Sequence, residues 1–190
     1  MLNELNHTLE QASLSLWPDR VVVFGDGQSV TPPLMLIGEA PGEQETLQRR
    51  PFVGKAGQNL QEFLDLMGLE RSQIYVSNVV KVRPFEIGPT GRKRNRPPSK
   101  EEIAFFLPYL LKEIELVRPA ALVTLGNVPL KALLNEKSTV GDTHGLWHTA
   151  ACGLPLFSLY HPAAIIYRRE LKSVYEADVL TLKHSLTNQA

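Results

Sequence analysis

The sequence predicts an α/β fold, with a parallel sheet covered by helices on both faces. Two observations carry this prediction. Short apolar runs of strand length alternate with longer segments of helical spacing along the chain, which is the pattern of parallel strands joined by helical crossovers. Two of those runs also lead directly into short motifs bearing chemically active side chains, and in open parallel sheets ligands bind beyond the carboxyl ends of the strands. The first motif is Gly38-Glu39-Ala40-Pro41-Gly42 after Leu34–Ile37; the second is His161-Pro162-Ala163-Ala164 after Leu154–Tyr160.

Each element follows from local signals. Leu2, Leu5, Leu9, Ala12 and Leu16 recur at helical spacing, so residues 1–20 form an N-terminal helical segment. Val21–Phe24 reads as a short strand ended by Gly25-Asp26-Gly27, and Leu34–Ile37 as the first central strand. A loop rich in Glu, Gln and Arg then leads to Arg50–Gly54, and from Gly57 the spacing of Leu60, Phe63, Leu64 and Met67 gives a helix stopped by Gly68. Ile74–Val80 is the next strand, with its tip near Asn78. Residues 83–98 hold four prolines and two glycines and are expected to form a long, exposed, basic insertion loop. Ser99 and Glu102 make a capping box for a helix to about Val117. Ala120–Leu125 is a third strand, and Gly126-Asn127 opens a helix through Leu134. Gly141–Gly153 reads as irregular, Leu154–Tyr160 as a strand and Leu171–Leu186 as the closing helix. No internal repeat interrupts this order, and 190 residues suit one domain over 1–190.

Composition excludes several classes. No apolar run reaches the roughly 18 residues of a membrane helix, so no membrane partner is expected. Met1-Leu2-Asn3-Glu4-Leu5 lacks the basic start and apolar stretch of a secretion signal, and a cytoplasmic protein is expected. Formal net charge is zero, so the whole molecule does not attract polyanions. Charge is nevertheless concentrated: Lys81, Arg83, Arg92, Lys93, Arg94, Arg96 and Lys100 lie within twenty residues beside a single acid, Glu86. Beside a site, such a patch suits phosphate contacts. Cys152 is the one cysteine, and it reads as a packing residue near a strand. No histidine pair has metal-ligand spacing, so no metal is expected.

Glu39 presents a carboxylate at a strand tip, although the same Gly-Pro segment would also serve as an ordinary turn. It is no phosphate-cradling loop, because Gly54-Lys55-Ala56-Gly57 lacks the hydroxyl that would hold magnesium. His161 is the one histidine of five at the end of an expected core strand, where an imidazole can donate to developing negative charge. Asn78 can accept from one group and donate to the next, which reads a pyrimidine edge; alone, it would pass for a turn residue. Phe52 sits in a Gly/Pro-framed loop, either stacking on a base or covering the core.

Taken in order, Gly38–Gly42, Arg50-Pro51-Phe52-Val53-Gly54-Lys55-Ala56-Gly57, Asn78-Val79-Val80-Lys81, Asn95-Arg96-Pro97-Pro98 and His161–Ala164 resemble the family 4 uracil-DNA glycosylases. The likeness runs from about Val21 to the closing helix. It implies a three-layer α/β/α sandwich with a central four-stranded parallel sheet, and hydrolysis of the N-glycosidic bond of deoxyuridine in DNA. It implies that Phe52 stacks on the flipped uracil, that Asn78 reads its O4 and N3 edge, and that His161 bonds O2 as the leaving anion forms. Glu39 is implied to position water or stabilise the sugar cation, with Glu43 and Glu45 close by as competitors. Gly38, Ala40, Pro41 and Gly42 would line the base pocket. Lys81, Arg83, Arg92, Arg94, Arg96, Arg168 and Arg169 would contact DNA, single- or double-stranded, as a monomer.

Two departures stand out. Most family 4 members carry four cysteines for a [4Fe–4S] cluster; here those positions fall at Val82, near Leu107, and near Gln11 and Leu14. No cluster is therefore expected, since one thiol cannot supply the usual four thiolates. A related branch traps uracil-DNA covalently through a histidine in a basic insertion, and residues 83–98 contain none. The rival readings are a non-catalytic module that binds uracil or DNA, and a glycosylase for another deaminated base.

Overall fold

The computed structural model describes residues 1–134 and 137–187. In chain order the elements are α1 (Leu2–Leu16), β1 (Asp26–Gly27), β2 (Leu34–Gly38), α2 (Glu43–Gln48), α3 (Lys55–Met67), a 3₁₀ turn (Arg71–Gln73), β3 (Tyr75–Asn78), β4 (Phe85–Ile87) and β5 (Lys93–Asn95). They continue with α4 (Lys100–Val117), β6 (Ala121–Leu125), α5 (Asn127–Leu134), α6 (Val140–Thr143), β7 (Trp147–Thr149), β8 (Pro155–Leu159), α7 (Pro162–Tyr167) and α8 (Leu171–Thr187).

The four expected parallel strands are present in the order β3-β2-β6-β8. Two antiparallel edge strands, β1 beside β3 and β7 beside β8, widen the sheet to six. Both edges escaped the sequence reading because two or three residues carry too little periodicity to register. Val21–Phe24 is not a strand: Val22 forms an isolated bridge with Val82, and the Val23 amide donates to the Lys81 carbonyl at 2.7 Å.

Alternation along the strands assigns the layers. Met35, Ile37, Leu122 and Leu156 face one side, against Leu9 of α1, Phe106 and Leu110 of α4, and Leu130 and Leu133 of α5. Leu34, Leu36, Val123 and Phe157 face the other, against Leu60, Phe63 and Leu64 of α3 and Tyr175, Val179 and Leu182 of α8. Each fully buried side chain of this kind contributes about 1.5–3 kcal/mol, and the two layers fix where the strand tips lie.

Local signals set the helix ends. Ser99 Oγ accepts from the Glu102 amide at 3.2 Å while Glu102 Oε2 accepts from the Ser99 amide at 2.7 Å, as the capping box predicts. Three expected irregular stretches are ordered. Residues 83–98 fold back as a β4–β5 hairpin with Phe85 opposite Asn95 and Ile87 opposite Lys93. The segment after Gly42 contains α2, and Gly141–Gly153 contains part of α6 and all of β7. Among the described residues no helix is long and apolar enough to cross a membrane.

Candidate active site

The ends of β2, β3 and β8 deliver the site. β2 and β3 are in register, with Gly38 opposite Asn78, and the Val79 and Val80 amides donate to the Gly38 and Glu39 carbonyls at 2.9 and 3.0 Å. These bonds carry the pairing past the strand tips and hold the two motifs side by side. A cleft of about 450 Å³ opens there. Ala40, Gly42, Phe52, Asn78 and His161 line it, together with Asn95 of the hairpin and Ala163 of α7, whereas Gly38, Glu39 and Pro41 do not.

Gly38 lies beneath the cleft, and its lack of a Cβ is a packing necessity. A Cβ there would stand 2.4 Å from Asn78 Oδ1 and 2.6 Å from Phe52 Cζ, so only glycine lets both groups close over the strand tip. Phe52 is 6 % exposed and holds φ at +54°. A bulky residue in this left-handed region costs about 1–3 kcal/mol, which the surrounding structure must offset. Asn78 is 3 % exposed, and no described residue hydrogen-bonds its amide. The residue lines the cleft, and its amide atoms are not among the enclosed polar atoms that lack a partner, so they stay open to whatever enters.

His161 caps α7, accepting the Ala163 amide on Nδ1 at 3.1 Å. That bond assigns the tautomer: Nδ1 carries no proton, so Nε2 carries one and is the donor. Burial pushes the His161 pKa below its ordinary value, favouring the neutral ring. Gly126, at φ +91°, brings the end of β6 against this ring, where a Cβ would meet His161 Cβ at 3.1 Å. Asn59 Nδ2 donates to the Pro162 carbonyl at 2.8 Å, tying α7 to α3.

The three neighbouring acids separate by environment. Glu45 is buried and accepts from the Gly42, Val53 and Gly54 amides at 3.1, 3.1 and 2.7 Å, so its oxygens are engaged in fixing the loop. Glu43 is exposed and accepts from Arg83 Nη1 at 3.0 Å. Glu39 is half-buried, hydrogen-bonds no described residue through its carboxylate, and is pushed above the usual carboxylate pKa by burial. It does not line the cleft itself; the next residue, Ala40, does, and Pro41 is buried. Only Glu39 keeps a free carboxylate.

The basic residues divide as sharply. Lys81, expected at the DNA, is 2 % exposed and ion-paired at 2.5 Å with Glu113, and it also bonds Ser77. A charge so enclosed cannot reach a phosphate, and that assignment is corrected. Glu113 further accepts from Tyr75 and Ser77 at 2.9 Å each, a buried network that no sequence spacing announced. Arg83 bonds Glu43 and Asn95 Oδ1, the latter at 2.7 Å, and thereby holds Asn95 at the cleft. Arg96 makes two 2.8 Å bonds to Glu102, which Arg20 also engages. Burial would raise the Glu102 carboxyl, but Arg96, the Ser99 amide and Arg20 outweigh it and hold it at about 2. Arg92, Arg94, Arg168 and Arg169 are exposed.

The residues present do not fit a [4Fe–4S] cluster. Val82 is fully buried in the α1–α4 layer with Leu107 packed against the same core, Gln11 and Leu14 are exposed, and Cys152 is exposed rather than packed. Trp17 stacks on Phe106 at 5.6 Å and meets Phe105 edge-on at 5.1 Å, so aromatic packing fills this layer. Among the described residues no group of His, Cys, Asp or Glu could hold a metal ion.

A cleft lined by an aromatic ring, an amide and an imidazole at the tips of parallel strands lies where open α/β sheets bind their ligands. The chain belongs to the uracil DNA glycosylase superfamily, whose family model matches residues 24–181. It is 34% identical over 183 residues to the type-4 uracil-DNA glycosylase of Saccharolobus solfataricus, covering 92% of this chain and 81% of that one. The type-4 enzyme of Sulfurisphaera tokodaii is 36% identical over 172 residues, 86% and 74% of the two chains. A type-5 uracil-DNA glycosylase of Pyrobaculum aerophilum is 30% identical over 170 residues, 80% and 70% of the two chains. The crystal structure of Pedobacter heparinus SMUG2 shares the fold, with a TM-score of 0.52, 14% identity, and 84% and 77% coverage.

Proposed function

We propose that this protein is a monofunctional DNA-repair hydrolase that releases uracil from DNA and leaves an abasic site. The observation that carries this reading is the Asn78 amide, without a partner among the described residues, in one cleft with Phe52 and the His161 donor. Phe52 stacks on the extruded base, while Asn78 donates to O4 and accepts from N3–H. As the C1′–N1 bond breaks, its electron pair moves onto uracil, and His161 Nε2–H stabilises the charge at O2. Water adds to C1′ and loses a proton, which ends on the departing uracil anion by way of solvent, with the Glu39 carboxylate orienting the water or balancing the positive sugar. Extrusion from a duplex costs a few kcal/mol, offset by phosphate contacts from Arg92, Arg94, Arg168 and Arg169. Arg83 and Arg96 brace the hairpin that carries the first two. The protein acts as a cytoplasmic, single-domain monomer without an iron–sulfur cluster.

The test is an oligonucleotide carrying one uracil, single-stranded or opposite guanine or adenine, with alkali cleavage revealing abasic sites. Cleavage by the wild-type protein supports the reading. Retention of uracil DNA over matched thymine DNA without cleavage replaces it with a binding module.

The acid limb of kcat/KM provides a second check. Glu39 must be ionised, and burial raises its pKa above 4.5; His161 must be neutral, and burial lowers its pKa below 6.5. Activity therefore falls in acid, as Glu39 is protonated at a pH above 4.5 and His161 at one below 6.5. The folded state holds the Glu39 proton more tightly than the unfolded chain, so that stability is present below pH 4.5 and lost as pH rises through the folded value. Glu39→Gln therefore raises Tm at neutral pH, has little effect on it in acid, and abolishes turnover at neutral pH.

A further inference from the structure

Arg71 has no contact with the cleft, yet it holds the carbonyls of the loop that presents Phe52. It lies on the 3₁₀ turn between α3 and β3. Its Nη2 donates to the Pro51 carbonyl at 2.6 Å and its Nη1 to the Phe52 carbonyl at 3.4 Å. Nη2 also meets Asp26 Oδ2 at 3.2 Å, and the same oxygen accepts from Arg50 Nε at 2.7 Å. Asp26 thus fixes both ends of the arrangement from edge strand β1. Arg71 Nε is buried with no hydrogen-bond partner among the described residues, so the fold tolerates an incompletely satisfied guanidinium there.

The segment so held is strained. Arg49 and Phe52 have φ of +50° and +54°, two of the four non-glycine residues with positive φ in the described chain. The Phe52 ring presses against the Gly38 backbone, and that placement requires the left-handed conformation at residue 52. Nothing in the phenylalanine itself favours it.

We propose that Arg71, held by Asp26, is a positioning residue that keeps Phe52 in its base-stacking conformation. The inference rests on the function proposed above. Without the two donors, the loop relaxes toward an ordinary φ and the ring leaves the wall of the cleft.

The test is a double-mutant cycle. Arg71→Gln is made in the wild-type and Phe52→Ala backgrounds and assayed on single-stranded uracil DNA, with free uracil as a product inhibitor. Arg71→Gln is expected to lower kcat/KM roughly tenfold and weaken uracil inhibition by a similar factor in the wild-type background, with a change under about twofold once Phe52 is alanine. Arg71→Lys, which retains one cationic donor, recovers part of the loss. An equal fall in both backgrounds overturns the proposal, because Arg71 would then act without the ring; so does an unchanged kcat/KM. Where Arg71→Gln fails to fold, Arg71→Lys and Asp26→Asn carry the same cycle. Amide exchange over residues 49–54 gives a readout independent of activity. Faster exchange confined to that loop in Arg71→Gln supports the clamp and unchanged exchange overturns it, even if wild-type protein releases no uracil and the proposed function falls.

Discussion

Replacing His161 with alanine lowers kcat for uracil release about 100- to 1,000-fold, the range for removing one preorganised donor to a developing oxyanion. DNA binding stays near the wild-type level, because the lost hydrogen bond strengthens only as charge moves onto O2. Alanine also removes the cap of α7, in which Nδ1 accepts the Ala163 amide, at a cost of about 1 kcal/mol. His161→Asn separates the two effects. Asparagine is a favourable N-cap and restores the stability, but it is too short to return the Nε2 donor to the cleft. The expected result is a Tm close to wild type with kcat still depressed. Recovery of kcat in His161→Asn would show that the helix cap, and not the imidazole donor, is what catalysis needs.

Asn78→Ala separates activity from stability. The side chain is 3 % exposed and its amide has no partner among the described residues. That amide lines the cleft and is not among the enclosed polar atoms that lack a partner, so removing it from the free protein relieves no full desolvation cost and Tm stays within roughly 2 °C of wild type. The substrate meanwhile loses two hydrogen bonds to its O4 and N3 edge, and kcat/KM falls roughly 10- to 100-fold. Thermal melts and initial rates on the same preparation check both halves. A Tm lowered by more than that would mean that the amide is bonded within the fold and is not held ready for a ligand.

How much of this was legible depended on how local each signal was. The Ser99–Glu102 box, the Gly68 stop and the run Leu34–Ile37 each carry their information within a few residues, and each element formed where expected. The motifs at Gly38 and His161 were legible for the same reason, since a strand tip is marked by the strand before it. The hairpin was not. Its prolines and glycines looked like punctuation, whereas the pairing of Phe85 with Asn95 depends on cross-strand partners no window displays. Lys81 misled because its charge suggested solvent, while the group that satisfies it, Glu113, lies 32 residues away on α4. Glu45 was visible as an acid near the site. Its role became clear only when the Val53 and Gly54 amides, eight and nine residues on, were seen to converge on one oxygen. Arg71 carried no signal, because it acts on backbone carbonyls that any sequence supplies.

The inward pairing of Lys81 with Glu113, Arg83 with Glu43 and Arg96 with Glu102 has a kinetic consequence. A basic side chain already neutralised by a carboxylate displaces no counterion from DNA. Each phosphate neutralised on a duplex would otherwise steepen the salt dependence of binding by about 0.9 in logarithmic slope. Under the proposed function, the exposed arginines of the hairpin and of the segment after His161 contribute this sequence-independent grip, Arg168 after giving up a loose 3.9 Å pairing with Glu170. Such a protein holds undamaged DNA weakly and leaves it quickly. Its residence at any position is then governed by whether a base enters the cleft, which suits a molecule that must search many sites to find a rare lesion.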